Sequence, residues 1–394
     1  MTTDPQTADE IPLDAEAHRA HRRRGLFFVG LAVGCMGFAF ALQIGANANF
    51  VGEEMRLTGN QQGMLEAFRE TCGITALGVL ALLSGLAEPI VGAVMLLLVG
   101  IGLATYVVVP DYLWLIFASL VWSQGLHVWM PLPNSMTLAL AEPGRSGHRV
   151  GQVRAAGAAG SGVGLLVGLA LAWLGVPIRP LFVVAGAAAV LAAASCLGIP
   201  RQIKTPGPRL VLRRKYWLYY LLSFLEGWRK QIFVAFAGFL LVQVYGAPLT
   251  TMLLLSLGFH VVGWVASPLV GRLIDRVGER RVLVFYYTCL TVFFLGYAYV
   301  RNIYGLYALY VIDSSFFVLA IALTTYVSRI APPAEHTPTL SMGVAFNHVA
   351  AVAMPLVGGL LWKYAGYQYV FVIGAAAAAA SVPAAMLLPK RTTG

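Results

Sequence analysis

The chain has 394 residues, 59% of them hydrophobic and only 11% charged, with a net charge of +10. A soluble domain carries about 25% charged residues, so this composition excludes one. Repeated apolar runs, each of the roughly 20 residues a helix needs to cross a bilayer, take its place. The positive charge lies between those runs and at the N-terminus, not along one polar face, which argues against a nucleic-acid partner.

Residues 1–24 are acidic first (Asp4, Asp9, Glu10, Asp14, Glu16) and then basic (Arg19, Arg22, Arg23, Arg24), and read as a disordered cytoplasmic tail. The run from Leu26 has no small-residue cleavage site before a polar segment, so it reads as a first span and not a removed signal. Spans follow at 26–48, 62–84, 89–109, 112–138, 150–174, 180–198, 216–243, 249–270, 282–300, 303–328, 340–362 and 369–388. The fold class expected is an all-α membrane protein of twelve helices in two six-helix halves, 25–198 and 216–390, joined by a basic cytoplasmic linker at 199–215. With both termini cytoplasmic, nineteen Lys and Arg residues fall on the inner side, against only Arg56, Arg179, Arg301 and Lys363 outside. That asymmetry fixes the orientation. The four cysteines (Cys35, Cys72, Cys196, Cys289) lie inside apolar runs without metal-like spacing, so inert buried thiols, no metal and no cofactor are expected.

The most charged segment of the second half is Gly271-Arg272-Leu273-Ile274-Asp275-Arg276-Val277-Gly278-Glu279-Arg280-Arg281. It reads as a tight loop of about ten residues with Gly271 and Gly278 supplying the turns, the arginines held in the cytoplasm and Asp275 a buried counter-charge. This G-x-L-x-D-R-x-G-x-R-R pattern resembles the loop signature of the major facilitator superfamily of transporters. In that family the better copy normally lies between helices 2 and 3; here it falls between spans 8 and 9, and the 2–3 loop, Ser84-Gly85-Leu86-Ala87-Glu88-Pro89, has no arginine. Helix count, loop lengths and orientation extend the resemblance over about residues 25–390. It implies a pseudo-symmetric pair of halves with the substrate site between them near the bilayer midplane, and a gating role for Gly271, Asp275, Arg276, Gly278, Arg280 and Arg281. A faint repeat agrees: Gly164, Gly168, Trp173 and Phe182 in spans 5–6 against Pro355, Gly359, Trp362 and Phe371 in spans 11–12.

Charges inside spans are the functional signal, since each costs about 2.5–3.5 kcal/mol at a helix centre. Span 2 reads Leu65-Glu66-Ala67-Phe68-Arg69-Glu70 and span 7 reads Leu225-Glu226-Gly227-Trp228-Arg229-Lys230; Asp313 lies in span 10. Each triplet shares one helix face. Two readings compete: self-neutralising ion pairs, or a polar cavity where Arg69, Arg229 and Lys230 meet substrate and Glu66, Glu70, Glu226 or Asp313 carries a proton. Gln124 and His127 before Pro131, and Asn347-His348 before Pro355, are further candidate cavity ligands. His260, without a polar neighbour at helical spacing, reads as structural, and Arg154 as a snorkelling residue.

Proton-driven drug exporters of the superfamily place an arginine three residues before a similar Gln-Gly in helix 4 and a Gly-Pro in helix 5. Here those positions hold Val121 and Gly160-Ser161-Gly162, which weighs against that group. Arg69, with Gly125-Leu126-His127 and Asn347-His348, resembles bacterial members of the superfamily. The function expected is secondary active transport of a small polar or anionic solute by alternating access, coupled to a proton or another ion. The protein is expected to act as a monomer in a bacterial inner membrane. No Walker loop is present for ATP. Alternatives are an exporter of amphipathic drugs or lipids along an aromatic path (Trp122, Trp129, Trp228, Tyr219, Tyr220), a non-transporting receptor of the same fold, and a membrane-embedded enzyme, for which no nucleophile or H-E-x-x-H motif speaks.

Overall fold

A computed structural model describes residues 13–142, 144–205 and 212–389. Residues 1–12, Arg209, Lys390 and Arg391, all part of the charge reading above, lie outside that set. In the first half the chain forms α1 (Leu13–Asn49), α2 (Gly59–Leu82), α3 (Glu88–Ala104), α4 (Tyr112–Trp129, continued by Leu132–Leu140), α5 (Ser146–Trp173) and α6 (Ile178–Cys196). In the second it forms α7 (Trp217–Ile232, continued to Gln243), α8 (Leu249–Val277), α9 (Glu279–Tyr299), α10 (Ile303–Phe316, continued to Ile330), α11 (Pro333–Tyr364) and α12 (Tyr367–Met386). Ten of these are long and apolar enough to cross a membrane. The other two, α2 and α7, hold the Glu66 and Glu226 clusters, and it is those charges that lower their hydropathy.

Local sequence sets the helix ends. Thr58 caps α2 in a reciprocal box with Gln61, and the Asp111 carboxylate accepts from the amides of Leu113 and Trp114 at the start of α4. Pro131, which has no amide hydrogen, breaks α4 from its continuation. α1 and α7, the first helices of the two halves, each pass into a π-turn at the same end, Phe50–Glu54 and Phe233–Ala237.

Two expectations are corrected. α1 begins at Leu13, so the backbone is helical through the basic half of the segment read as disordered; residues 13–24 contain neither Gly nor Pro to stop it. The 8–9 loop is a single residue long. α8 continues through Gly271, Asp275 and Arg276 to Val277, because nothing in Arg272–Val277 breaks a helix, and the chain turns only at Gly278, where φ is +82°. Asp275 is exposed, as are Arg276 and Arg281, because the helix carries them past the core; Arg280 is half-buried. Glu279, buried at the start of α9, forms an ion pair here, 3.2 Å from Arg329 at the end of α10.

Within each half the helices pack through small residues and apolar side chains: α1 on α5 and α6, α3 on α4 and α6, α9 on α12, and α7 on α11. The halves meet along α2–α11 and α5–α8. A Cβ on Gly63 would strike the carbonyl of Pro355, and one on Gly59 the ring of Trp362, so the glycines of α2 set how closely α11 approaches. The end of the molecule away from the linker is closed by a near-reciprocal pair of bonds. Asn49 at the end of α1 donates to the Ala247 carbonyl at 2.8 Å, and Gln243 at the end of α7 donates to the Leu57 carbonyl at 2.8 Å. At the linker end the facing surfaces are apart: Gly78 and Gly151 have open space around them, and Leu82 is 86% exposed. The state described is closed at the end away from the linker. The 2–3 loop, lacking arginines, anchors the linker instead: Thr205 donates to Leu86 at 2.9 Å, and Glu88 donates through its amide to Ile203 at 2.8 Å.

Candidate functional site

The two charged triplets do not behave as single faces. In each, the first acid and the basic residue three positions on turn into their own half, and the residue four positions on turns toward α11. The residues at i+3 and i+4 stand about 100° apart around a helix, enough to send them to different neighbours.

In the first half, Glu66 (1% exposed) is ion-paired to Arg69 and accepts from Gln62 Nε2 at 3.3 Å. Gln62 also donates to the Ala235 carbonyl of the α7 π-turn at 3.0 Å, crossing between the halves. Arg69 lies over the Trp122 ring at 5.2 Å, a cation–π contact on α4. Glu70 points to the other half, 3.2 Å from His348 Nδ1 on α11. His127 on α4 stands beside them, its ring 5.2 Å from that of His348, with Nδ1 bonded to the Ser123 carbonyl at 2.9 Å. Gly73 leaves room for this meeting, since a Cβ there would strike the His348 ring. Gln124 accepts from Thr75 at 2.6 Å and keeps its amide nitrogen unpaired among the described residues.

In the second half, Arg229 is 1% exposed and closed in on every side. It bonds Glu226 at 2.5 Å and Tyr286 at 2.9 Å, and lies over the Phe317 ring at 4.5 Å. The hydroxyl of Tyr286 donates on to Glu226 at 3.0 Å. Asp313, with no exposure at all, is 3.9 Å from the guanidinium: close enough for attraction, too far for a hydrogen bond. Both its oxygens therefore lack a hydrogen-bond partner among the described residues. Two carboxylates share one guanidinium, which leaves a unit of negative charge in a dry site unless a proton joins them. Arg229, expected from the sequence to meet substrate, is buried here and paired with Glu226. Lys230 alone of that triplet is half-buried toward α11, where its ammonium reaches Asn347 Oδ1 at 3.2 Å.

Arg69, Glu70, Gln124, His127, Lys230, Asn347 and His348 thus gather around the α2–α4–α11 contact, with Lys230 arriving from α7. Of the residues the sequence reading passed over, Gln62 was on the page, one turn before Glu66 on the same face. Asn49, Tyr286 and Gln243 carry no signal without the fold. His260 donates from Nδ1 to the Ser256 carbonyl within its own helix, at 2.8 Å. Of the five aromatics expected along a path, Trp122, Trp129, Tyr219 and Tyr220 are buried and Trp228 is half-buried.

Residues 216–394 match the sequence model of the Major Facilitator Superfamily. No curated protein matches the chain's sequence. Among solved structures, a variant of the nucleoside transporter NupG is 14% identical, with a TM-score of 0.76 over 93% of this chain and 100% of that one. A D-xylose–proton symporter is 15% identical, with a TM-score of 0.74 over 94% of this chain and 98% of the other. A bacterial homologue of the human lysosomal transporter Spinster, in an inward-facing and occupied conformation, is 13% identical, with a TM-score of 0.72 over 93% and 97%. That superfamily's sequence pattern thus covers the second half of the chain, and the fold over both halves, with ten helices long and apolar enough to cross a membrane, is similar to that of these transporters.

Proposed function

We propose that the protein is a secondary active transporter of a small polar or anionic solute, driven by protons and working by alternating access. The observation that supports this best is the set of charged and polar side chains contributed by both halves at their contact, in a molecule closed at one end and open at the other. Charged residues at bilayer depth normally mark a solute or ion path. Arg69 and Lys230 supply positive charge to the solute, with Gln124, His127, Asn347 and His348 as hydrogen-bonding partners. Glu226 and Asp313, sharing Arg229, form the coupling group; Glu66 and Glu70 hold Arg69 and His348 in place. The short turn at Gly278, with Asp275, Arg276, Arg280 and Arg281 beside it, works as the cytoplasmic pivot of α8 and α9 as the halves rock. A D-xylose–proton symporter of the same fold makes proton coupling a natural reading. An amphipathic exporter is the weaker alternative, because four of the five aromatics that would line its path, all but Trp228, are buried in the helix packing. A receptor without transport would not need Asp313 buried without a hydrogen-bond partner among the described residues.

The test is proton movement in proteoliposomes holding the purified chain, challenged in turn with small anions, zwitterions and lipophilic cations. A proton signal with anions or zwitterions that Arg69→Ala and Lys230→Ala abolish, and that Asp313→Asn uncouples, supports the reading. A response to lipophilic cations alone, or indifference to both basic substitutions, rules it out.

A further inference from the structure

Three residues from three helices and both halves converge in a way that solute binding does not require. One carboxylate oxygen of Glu70 and one ring nitrogen each of His127 and His348 all lie within 4.8 Å of one another. We propose that Glu70, His127 and His348 form a three-ligand site for a divalent transition-metal ion, which clasps the two halves together across the α2–α4–α11 contact.

Ligands about 2.1 Å from a tetrahedral ion stand about 3.4 Å from one another. Glu70 and His348 are already at 3.2 Å, so only His127 has to close, by a rotamer adjustment. Its ring is prepared for this: Nδ1 is engaged by the Ser123 carbonyl at 2.9 Å, which leaves Nε2 as the free ligand nitrogen. A backbone carbonyl on the far nitrogen is the usual device that orients a metal-binding histidine. Gly73, one turn along α2 from Glu70, gives the His348 ring its place beside the helix. Two imidazoles and a carboxylate suit zinc, cobalt, nickel or copper and not magnesium or calcium, and three protein ligands leave a coordination position open. The charges nearby set the affinity. Arg69 is matched by Glu66, while Lys230 acts on Glu70 and competes with any cation there. An ion on the site would add positive charge that an anionic solute on the open position would offset.

The ion is read by binding, without transport, so this inference and the proposed function fail separately. The full-length chain, its affinity tag removed, is titrated with Co²⁺ while visible d–d absorption is followed, and Zn²⁺ is used as competitor. Copper(II) electron spin echo measurements on the wild-type protein count the coordinated imidazoles, so the result does not depend on a variant folding. The expected outcome is one ion per chain with two imidazole nitrogens. His127→Ala and His348→Ala should each weaken binding by more than the roughly 10–100-fold that loss of an outer partner costs. Lys230→Gln should strengthen it, and Zn²⁺ should raise the unfolding temperature of the wild type but not of the histidine variants. A copper signal with fewer than two imidazoles, or histidine variants that bind as the wild type does, overturns the proposal.

Discussion

The bonds that close the outer end of the molecule give a direct handle on its conformational balance. Asn49, fully buried, donates to the Ala247 carbonyl, and the exposed Gln243 donates to the Leu57 carbonyl, each at 2.8 Å and each reaching across to the other half. Both bonds exist only while that end is shut. A buried bond of this kind contributes about 1–1.5 kcal/mol and an exposed one about 0.5–1 kcal/mol. Replacing both residues by alanine should therefore remove about 2 kcal/mol from the state closed at this end, a shift of roughly thirtyfold in its ratio to the opened one. Spin labels at Val108, in the loop after α3, and Tyr304, in the first turn of α10, exposed by 71% and 76% in opposite halves at this end, report the opening by pulsed dipolar distances in a background without the native cysteines. Asn49→Ala should move more of the population to the longer distance than Gln243→Ala, and the double variant more than either. An unchanged distance distribution in the double variant would refute the argument that these bonds hold the gate.

Removing Arg229 should be the most damaging single change. Arg229→Met strands Glu226 and Asp313 as buried, uncompensated carboxylates and should cost about 3–5 kcal/mol in thermal unfolding, with partial recovery when Asp313→Asn is added. Gly63→Ala should cost about 1–3 kcal/mol by forcing α2 off the Pro355 carbonyl, whereas Gly78→Ala, in open space, should be neutral or stabilising; unfolding temperatures of the pair test the α2–α11 contact. Outside the membrane, hydrogen bonds from Arg149 hold the Glu142 carboxyl at about 2, against an ordinary value of 4.5. A lowered value stabilises the fold above pH 4.5 and loses that effect as pH falls toward 2, so the gap in unfolding temperature between wild type and Glu142→Gln should be constant above pH 4.5 and shrink below it. Glu279→Gln should loosen the cytoplasmic end by freeing Arg329, seen as faster hydrogen exchange at the start of α9 with the outer end unaffected.

Most of the fold was legible in the chain. Apolar runs of bilayer length, the one-sided distribution of Lys and Arg, and a basic linker at mid-chain follow from the physics of crossing a membrane, which acts on each segment separately. The loop motif was legible as chemistry but not as geometry. Gly271 looks like a turn in sequence, yet helical hydrogen bonds continue through it because no neighbour interrupts them.

For the site, sequence marked the charges in α2 and α7 but not their company. Spacing places Glu226, Arg229 and Lys230 on one broad face. Only packing decides that Arg229 is sealed in with Asp313 and Tyr286 while Lys230 reaches Asn347. The same holds for Glu70, His127 and His348, which are far apart in the chain and become neighbours only where α2, α4 and α11 cross. Hydropathy is a property of single segments, so the sequence by itself marked the apolar spans. The partner of a buried charge depends on which helices lie beside it, and that was decided by the tertiary structure alone.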